Sequence, residues 1–225
     1  MQAGMIEALF PKEVVVGCSD QEADPGLLYP QEAECVRNAV PKRRLEFTQG
    51  RLCARRLLAG MGIRDFPLLA RQDRSPIWPE GITGSISHCA GLCAVALART
   101  SVIAGLGLDV EAAEPLEDTL LPLVCGAQER ARLEQERESE RGLVAKLLFS
   151  AKESVFKCVY PVTGVFLEFH HCRIEFPRVA GTFIAEITHQ EMAPPWKGLR
   201  LEGRFARDSR HLFTGVALAP GDWKH

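Results

Sequence analysis

The sequence predicts a protein of the α+β class. Two long helical patterns, over residues 42–59 and 143–159, lie among short apolar or alternating runs that are typical of strands. Each half of the chain contributes one such helix and several strands, which is an α+β arrangement. The 225 residues, 46% of them hydrophobic and 25% charged, have an ordinary globular composition and suffice for one large domain or two small ones.

The first half begins with forty residues that mix short apolar runs with proline and acidic residues. A helix is predicted over 42–59 because Gly60 and Gly62 follow it, and glycine commonly ends a helix. The next segment, 71–84, is rich in proline and is predicted to be irregular.

The second half repeats the combination of helix and strands. Residues 126–141 are predicted to form a helix that runs into an exposed charged loop, and 143–159 a second long helix. The runs LCAVALA (92–98) and FTGVALA (213–219) resemble each other, and an internal duplication stays open at this point. The strands predicted for the whole chain are 92–98, 102–110, 172–176, 182–187, 199–205 and 212–218.

Charge is unevenly distributed along the chain. The net charge is −2, yet residues 42–64 hold seven Lys or Arg against one acid, and residues 111–140 hold nine acids against three Arg. A basic segment together with an acidic one suits a site that binds phosphates beside a cation.

The cysteines give no sign of a disulfide framework or a zinc site. There are eight, with no CxxC pair and no zinc-ligand spacing with histidine. The sequence shows no secretory leader and no apolar run of membrane-spanning length. We therefore expect a cytoplasmic protein without a membrane span, in a reducing compartment.

Two carboxylates follow a buried-looking strand in the segment GLGLDVE, residues 105–111. Asp109 and Glu111 are two positions apart, so on a strand both side chains point to the same side. Hard oxygen ligands at this spacing suit Mg²⁺, which keeps some waters and accepts substrate phosphates. A strand that simply emerges into an acidic loop is the alternative, and the segment alone leaves both open.

A second motif, FSAKESVFK at 149–157, lies within the second long helix. The apolar residues of this helix share one face, and Lys146, Glu153 and Lys157 fall on the opposite face. In one interpretation Glu153 is a third metal ligand and Lys157 a phosphate contact. In the other, the two residues form an exposed salt bridge between positions four apart.

The segment GSISH, residues 84–88, stands just before a predicted strand. A Gly-Ser turn with free backbone N–H groups, a hydroxyl and the imidazole of His88 can grip a phosphate. A structural histidine at the start of a strand is the alternative.

The first long helix carries the basic stretch KRRLEFTQGRLCARR, residues 42–56. In a helix, Arg44, Arg51 and Arg55 project within a narrow arc, and arginines on one face favour phosphate recognition. A solvated helix face and a nucleic-acid contact are the alternatives, and the acidic balance of the rest of the chain argues against the latter.

The order and spacing of these segments resemble the 4′-phosphopantetheinyl transferase superfamily. KRRLEFTQGRLCAR, RSPIWPEG, GSISH, GLDVE and FSAKESVFK occur in that order between residues 42 and about 160. The closer likeness is to the enterobactin synthetase component D branch of the surfactin-type enzymes. Phe149 stands where surfactin-type enzymes carry Trp, and Phe is usual in the component D branch. Cys89 follows His88 where Ser or Thr is frequent in the family.

The resemblance implies a set of functional residues. The implied Mg²⁺ ligands are Asp109, Glu111 and Glu153. The implied catalytic residues are Glu129, Glu153 and Lys157, with Glu129 as a general base. The implied contacts to coenzyme A are Arg51, Arg74, Ser75, Pro76, Ser87, His88, Lys152 and Lys157.

The resemblance also implies a fold and a reaction. The fold has two similar α+β halves related by a pseudo-twofold axis, residues 1–104 and 105–225, with coenzyme A between them. A carrier-protein serine attacks the β-phosphate of coenzyme A, and 3′,5′-ADP leaves. The implied partner is an apo acyl or peptidyl carrier protein, and we expect a monomer that binds no nucleic acid.

Two other functions are considered beside this one. A Mg²⁺-dependent hydrolase with the same carboxylates would turn over coenzyme A or nucleotides without a carrier protein. A non-enzymatic module would bind nucleic acid through residues 42–64. If the protein is such a transferase, the sequence leaves two questions open. The first is whether its carrier belongs to siderophore, fatty-acid or polyketide synthesis, or whether it serves a broad range of carriers. The second is whether it accepts acyl-coenzyme A.

Overall fold

Six α-helices and eight β-strands make up residues 2–222, the part of the chain that the computed structural model describes. The helices are α1 (Gln2–Glu7), α2 (Pro30–Cys35), α3 (Pro41–Gly60), α4 (Leu121–Val124), α5 (Ala127–Leu133) and α6 (Glu138–Thr163). The strands are β1 (Val15–Ser19), β2 (Ile82–Cys89), β3 (Leu92–Arg99), β4 (Gly105–Ala112), β5 (Cys172–Glu175), β6 (Thr182–Ile187), β7 (Arg200–Arg207) and β8 (His211–Leu218). This mixture confirms the predicted α+β class. None of these helices has the length and hydrophobicity that crossing a lipid bilayer requires.

The strands form two antiparallel sheets, of order β1-β3-β2 and β4-β8-β7-β6-β5. In each sheet the first strand along the chain pairs with the last one, as Val16 does with Ala96 and Leu108 with Gly215. Along the chain, a long helix (α3 in the first half, α6 in the second) follows that first strand and precedes the other strands of the same sheet. The two similar sequence runs are β3 and β8, which occupy the same place in this repeated connectivity. Two similar halves require such a repeat, and the pseudo-twofold axis stays a prediction.

Three apolar clusters form the core. The helix α3 packs on the three-stranded sheet through Leu58, and α6 packs on the five-stranded sheet through Val155. The third cluster joins the sheets, because the alanines of β3 meet Leu108 of β4 and Phe213 of β8 there. The helix α1 contributes Ile6 to the same cluster, so the start of the chain packs against both halves.

Two glycines let β4 lie directly on α6. A Cβ atom added at Gly107 would lie 1.8 Å from the backbone oxygen of Ser154, and one at Gly105 would lie 2.5 Å from that of Cys158. Only a residue without a side chain allows the two backbones to approach so closely. The glycines of GLGLDVE therefore serve packing, and they fix the place of the following carboxylates against α6.

Two buried serines of β2 connect the two sheets. The Ser85 hydroxyl accepts a hydrogen bond from the Leu108 N–H at 3.0 Å, and the Ser87 hydroxyl accepts one from the Val110 N–H at 3.2 Å. Since β4 is an edge strand of its sheet, these N–H groups have no neighbouring strand on this side. Side-chain oxygens from the other sheet satisfy them, as buried backbone donors require.

The structure corrects two strand predictions. The segment GSISH lies inside β2 and is not a turn before a strand, because Gly84 and Ser85 pair with Leu97 and Ala96 of β3. The strand predicted over 102–110 begins only at Gly105, after a turn in which the Val102 and Ile103 N–H groups bond to the Arg99 carbonyl. The strand β1 and the helix α1 were not predicted.

The helix predictions in the second half also need correction. The segment 126–141, predicted as a helix that runs into an exposed charged loop, contains α5 as far as Leu133 and a short connection. The second long helix, α6, begins at Glu138, before the predicted start at residue 143. The helix α6 continues through Pro161 and ends at Gly164, whose φ of 69° is the left-handed conformation that commonly ends helices.

Gly107→Ala is expected to lower the free energy of unfolding by about 3 kcal/mol or more, because the new methyl group meets backbone that cannot move without displacing α6. Urea unfolding followed by circular dichroism measures the effect. Gly60→Ala is the control, since an added Cβ there has nothing within 4 Å, and we expect no loss of stability. Equal midpoints for Gly107→Ala and the unmodified protein would contradict the direct contact of β4 with α6.

Candidate active site

Asp109 is the centre of a polar cluster at the junction of the two sheets. It is only 3% exposed. Its carboxylate accepts hydrogen bonds from Lys157 Nζ at 2.6 Å, Ser150 Oγ at 2.8 Å and Ser87 Oγ at 3.0 Å. Lys157 and Ser150 belong to α6, whereas Ser87 belongs to β2. Burial of a charge is costly unless the charge is paired and hydrogen-bonded, and Asp109 has both kinds of partner.

Two further carboxylates lie beside Asp109. Glu111, on the same face of β4, forms an ion pair with Lys146 at 3.3 Å. Glu153 lies on α6, where its side chain makes no hydrogen bond within residues 2–222 and faces the positive charge of Lys157. Burial is the main cause that raises the pKa of both glutamates, and the negative charge of Asp109 raises it further, against the opposing lysines. The three carboxylates therefore share one electrostatic environment.

The three carboxylates have the donor chemistry of a Mg²⁺ site. Their oxygens are hard ligands. Burial and the negative charge of Asp109 raise the pKa of Glu111 and Glu153, so a cation beside these two carboxylates would be favourable. Within the described residues, no three His, Cys, Asp or Glu side chains converge into a finished metal cage. In this structure the positive charge comes from two lysines, since Lys157 forms an ion pair with Asp109 and Lys146 forms one with Glu111. The residues thus fit a divalent cation that replaces these ammonium groups.

His88 lies next to this cluster with an unused ring nitrogen. Its Nε2 atom is buried and has no hydrogen-bond partner in the part of the chain that the structure describes. Burial, followed by the positive charges of Arg43, Lys157 and Arg51, lowers the pKa of His88 to about 4. An unpaired imidazole nitrogen among cationic side chains suits an anionic group such as phosphate.

The arginine face predicted over 42–56 is not a free phosphate surface. Arg51 is buried, and its Nε donates to the Leu68 carbonyl at 2.8 Å. Burial lowers the pKa of this guanidinium to about 10. Arg55 pairs with the buried carboxylate of Glu32 at 2.7 Å. Both arginines hold α3 to neighbouring segments, so we leave Arg51 out of the proposed coenzyme A contacts.

Lys152 and Glu129 form a separate buried network. The Lys152 ammonium donates to Glu129 Oε2 at 2.7 Å and to the carbonyls of Val124 and Phe169 at 2.8 and 3.0 Å. Glu129 Oε1 accepts a hydrogen bond from the Ile174 N–H at 2.9 Å. All three ammonium hydrogens and both carboxylate oxygens are therefore in use. A pyrophosphate contact by Lys152 or proton abstraction by Glu129 would break this network, so the arrangement gives both residues a structural role.

A tight turn precedes β2 and contains three of the residues named by the resemblance. Arg74 is exposed and has a φ of 70°, in the left-handed region. The Ser75 N–H and hydroxyl donate to Asp73 Oδ1 at 2.9 and 2.6 Å, and the Ser75 carbonyl accepts from the Arg71 N–H. Pro76 follows and begins the exit from the turn. Arg74 is therefore free for a ligand, whereas the Ser75 hydroxyl is used within the turn.

An apolar cavity of about 350 Å³ adjoins Glu153. Its wall includes Leu123, Phe156, Phe166, Leu167 and Phe169. The sequence did not indicate this cavity, because of these wall residues only Phe156 lies in the motif FSAKESVFK, and the others come from α4 and the segment after α6. The one available signal was the aromatic content of 149–169, which is equally typical of a core. Phe166, at 65% exposure, is an unusually exposed aromatic side chain beside a site.

Within the described residues, the site combines neighbouring carboxylates, partly exposed ammonium groups and an imidazole nitrogen without a hydrogen-bond partner, and the cavity adjoins it at Glu153. Cationic groups and carboxylates of this kind suit the handling of a phosphate-bearing substrate, and the cavity suits an apolar extension of it. The fold and the site together define an α+β enzyme of the phosphate-transfer type.

The chain belongs to the 4′-phosphopantetheinyl transferase superfamily. Residues 31–98 match the 4′-phosphopantetheinyl transferase N-terminal domain, and residues 105–206 match the 4′-phosphopantetheinyl transferase superfamily. The chain is 41% identical to 4′-phosphopantetheinyl transferase Svp of Streptomyces mobaraensis, over 96% of this chain and 89% of Svp. It is 31% identical to 4′-phosphopantetheinyl transferase PptT of Mycobacterium tuberculosis, over 86% of this chain and 88% of PptT.

The likeness to the component D branch covers a shorter part of the chain. Enterobactin synthase component D of Salmonella typhi is 35% identical over 58% of this chain and 54% of that protein. These matches confirm the resemblance drawn from the motifs, and the chain is an enzyme of the 4′-phosphopantetheinyl transferase type.

Lys152→Met is expected to destabilise the protein by about 3–5 kcal/mol, because it leaves the carboxylate of Glu129 buried without its partner. Thermal or urea unfolding measures this loss. The double variant with Glu129→Gln is expected to recover part of the stability, since it removes the unpaired charge.

Glu153→Gln is the matched control on the next residue. Since burial raises the pKa of Glu153, its charged form opposes folding at neutral pH, and the neutral amide is expected to leave the melting temperature equal or higher. A Lys152→Met variant with unchanged stability would contradict the structural role of Lys152.

Proposed function

We propose that this enzyme uses Mg²⁺ to transfer the 4′-phosphopantetheine group of coenzyme A to a serine of an apo carrier protein, with release of 3′,5′-ADP. The observation that carries the proposal is the cluster around Asp109, in which Lys157 donates to the carboxylate of Asp109 and to the Ser87 hydroxyl, and its positive charge also acts on His88. A single phosphate-rich substrate can meet all of these groups. The family membership supports the reaction class, and the cluster supports the placement of coenzyme A.

Asp109, Glu111 and Glu153 would hold the Mg²⁺ ion, because they are neighbouring hard ligands that share one electrostatic environment. When bound, Mg²⁺ neutralises charge on the pyrophosphate and polarises the phosphoryl group. Lys157, with an ammonium group that is partly exposed, would hold the pyrophosphate of coenzyme A.

The remaining parts of coenzyme A would lie on either side of this centre. His88 would take the 3′-phosphate through its unpaired Nε2, with the Ser87 hydroxyl nearby. The backbone of Arg74–Pro76 would pack against the adenine. The apolar cavity beside Glu153 is large enough for a flexible arm and would receive the pantetheine group.

Glu153 is the proton acceptor that we favour for the attacking serine. Its pKa is raised, chiefly by burial, and its carboxylate makes no hydrogen bond within the described residues, whereas both oxygens of Glu129 already accept hydrogen bonds. The positive charge of Lys157 would stabilise the negative charge that develops on the phosphate oxygens as 3′,5′-ADP leaves. No covalent enzyme intermediate is needed.

We further infer a cytoplasmic monomer that serves carrier proteins of siderophore peptide synthesis, within a range that includes fatty-acid and polyketide carriers. The relatives named enterobactin synthase component D support the siderophore assignment. The eight cysteines form no disulfide within the described residues and five of them are buried, which supports the compartment.

Incubation of the purified protein with apo carrier, coenzyme A and Mg²⁺ is expected to add a phosphopantetheine group to the carrier serine, detected by mass spectrometry. Asp109→Asn and Glu153→Gln are expected to lower kcat/KM by about 100-fold or more, because each removes a charge that the reacting groups require. Mg²⁺ is expected to raise the melting temperature of the unmodified protein and not that of Asp109→Asn.

Glu114→Gln is the control, since Glu114 is an exposed carboxylate just beyond β4, and it should change neither activity nor the Mg²⁺ effect. Hydrolysis of coenzyme A without any carrier adduct would favour the hydrolase. Salt-sensitive nucleic-acid binding that survives Asp109→Asn would favour the binding module.

His88→Gln is expected to lower kcat/KM for coenzyme A about tenfold, the order of one charge-assisted hydrogen bond, while kcat/KM for dephospho-coenzyme A stays nearly unchanged. The difference arises because dephospho-coenzyme A lacks the 3′-phosphate that His88 would contact. His189→Gln, at a half-buried histidine outside the site, is the control. Equal losses with both substrates would assign His88 a purely structural role.

A further inference from the structure

A hydrogen bond joins the two halves of the chain beside the site. The hydroxyl of Tyr160, on α6, donates to Asp73 Oδ2 at 2.8 Å. Asp73 lies in the turn that precedes β2, 87 residues earlier in the sequence. The bond raises the pKa of Tyr160 and, after the two donors of Ser75, contributes to the lowered pKa of Asp73. Neither residue belongs to the set that the sequence motifs indicate.

The same carboxylate organises the turn itself. Asp73 Oδ1 accepts the N–H and the hydroxyl of Ser75, and between them Arg74 takes a φ of 70°. A non-glycine residue in the left-handed region is held there by its surroundings. Within residues 2–222, the bond from Tyr160 is the one hydrogen bond that connects this turn with α6.

The ring of Tyr160 also packs on two aromatic residues of the cavity wall. Its ring stacks on Phe156 with centroids 5.1 Å apart and an interplanar angle of 18°. It also meets Phe166 edge-on at 6.3 Å. Phe156 and Phe166 both line the cavity beside Glu153. The phenol that reaches the turn is therefore fixed by the rings that shape the cavity.

We propose that Tyr160 is a positioning residue that connects the turn at 71–75 with the aromatic wall of the cavity and orders the turn before coenzyme A binds. The inference rests on the proposed function, in which the turn meets the nucleotide and the cavity holds the pantetheine arm of the same molecule. Ordering a loop when a ligand binds costs conformational entropy, and a turn that is already ordered in the free protein avoids this cost. Tyr160 therefore affects binding of the nucleotide and not the chemical step at Asp109.

Tyr160→Phe keeps the stacked ring and removes the donor, so it is the principal variant. The KM for coenzyme A and the Kd for 3′,5′-ADP are expected to rise by the same factor, roughly threefold to fivefold, since one exposed hydrogen bond to a carboxylate has a modest net effect. The kcat and the inhibition constant of 4′-phosphopantetheine are expected to stay unchanged. The double variant with Asp73→Ala is expected to be no weaker than Asp73→Ala alone.

Tyr29→Phe is a matched control, because Tyr29 is the other of the two tyrosines in the chain. Its hydroxyl also contacts an aspartate, Asp65 Oδ1 at 3.4 Å, but both residues lie in the first half and away from the turn. We expect no change in KM or Kd for this variant.

Hydrogen exchange of the ligand-free protein tests the ordering directly. The amides of 71–77 are expected to exchange faster in Tyr160→Phe than in the unmodified protein, and at the unmodified rate in Tyr29→Phe. Unchanged exchange at this turn, a fall in kcat without a change in KM, or an equal loss of 4′-phosphopantetheine binding would each overturn the proposal. If the unmodified protein binds no coenzyme A, the proposed function fails, and the exchange rates still decide whether Tyr160 orders the turn.

Discussion

The direct contact between the backbones of β4 and α6 is the constraint on which the rest of the structure depends. At Gly107 the helix backbone occupies the space that any Cβ atom would need. The distance between the strand and the helix is therefore fixed. Two residues further on, the carboxylate of Asp109 accepts hydrogen bonds from Ser150 Oγ at 2.8 Å and from Lys157 Nζ at 2.6 Å. Hydrogen bonds of this length do not survive a displacement of 1 Å or so, because their strength depends steeply on distance and angle.

The same polar side chains form both the junction of the two sheets and the candidate active site. The Ser87 hydroxyl accepts the Val110 N–H of β4, donates to Asp109 and accepts from Lys157. One side chain of the first half thus satisfies the backbone, the carboxylate and the ammonium of the second half. Separation of the halves would leave a buried charge and a buried donor without partners, which is costly in both cases. The site is therefore formed when the two halves pack together.

The parts of the site that the sequence could predict are those governed by local periodicity. Asp109 and Glu111 share a face because side chains alternate along a strand, and Lys146, Glu153 and Lys157 share one because they recur at helical spacing. Lys152 points to a different side of the helix from Glu153, because adjacent residues of a helix point about 100° apart. Its partner Glu129 belongs to another helix, α5, so no local pattern could reveal the pair.

The parts that sequence could not predict depend on contacts between distant segments. Arg51 is buried because it bonds to the Leu68 carbonyl, in an irregular stretch without periodicity. GSISH suggested a turn because Gly and Ser are common in turns, but Gly84 is required within a strand. A Cβ there would lie 2.4 Å from the side chain of Leu97 and 2.8 Å from that of Trp78. The cavity wall likewise depends on how the segment after α6 folds back on the helix.

Two lysines of α6 pair with carboxylates, Lys152 with Glu129 and Lys157 with Asp109, and the two pairs have different roles. The side chain of Lys152 is 2% exposed and all of its donors are used, so the pair with Glu129 is fixed and contributes to the fold. The side chain of Lys157 is 26% exposed, and it faces Glu153, whose carboxylate makes no hydrogen bond within the described residues. The ammonium group of Lys157 keeps access to water, but Asp109 is buried, so Lys157 is available for a phosphate only if a cation takes its place on Asp109. Exposure, and not residue type, therefore separates the pair that stabilises the protein from the pair that is available for catalysis.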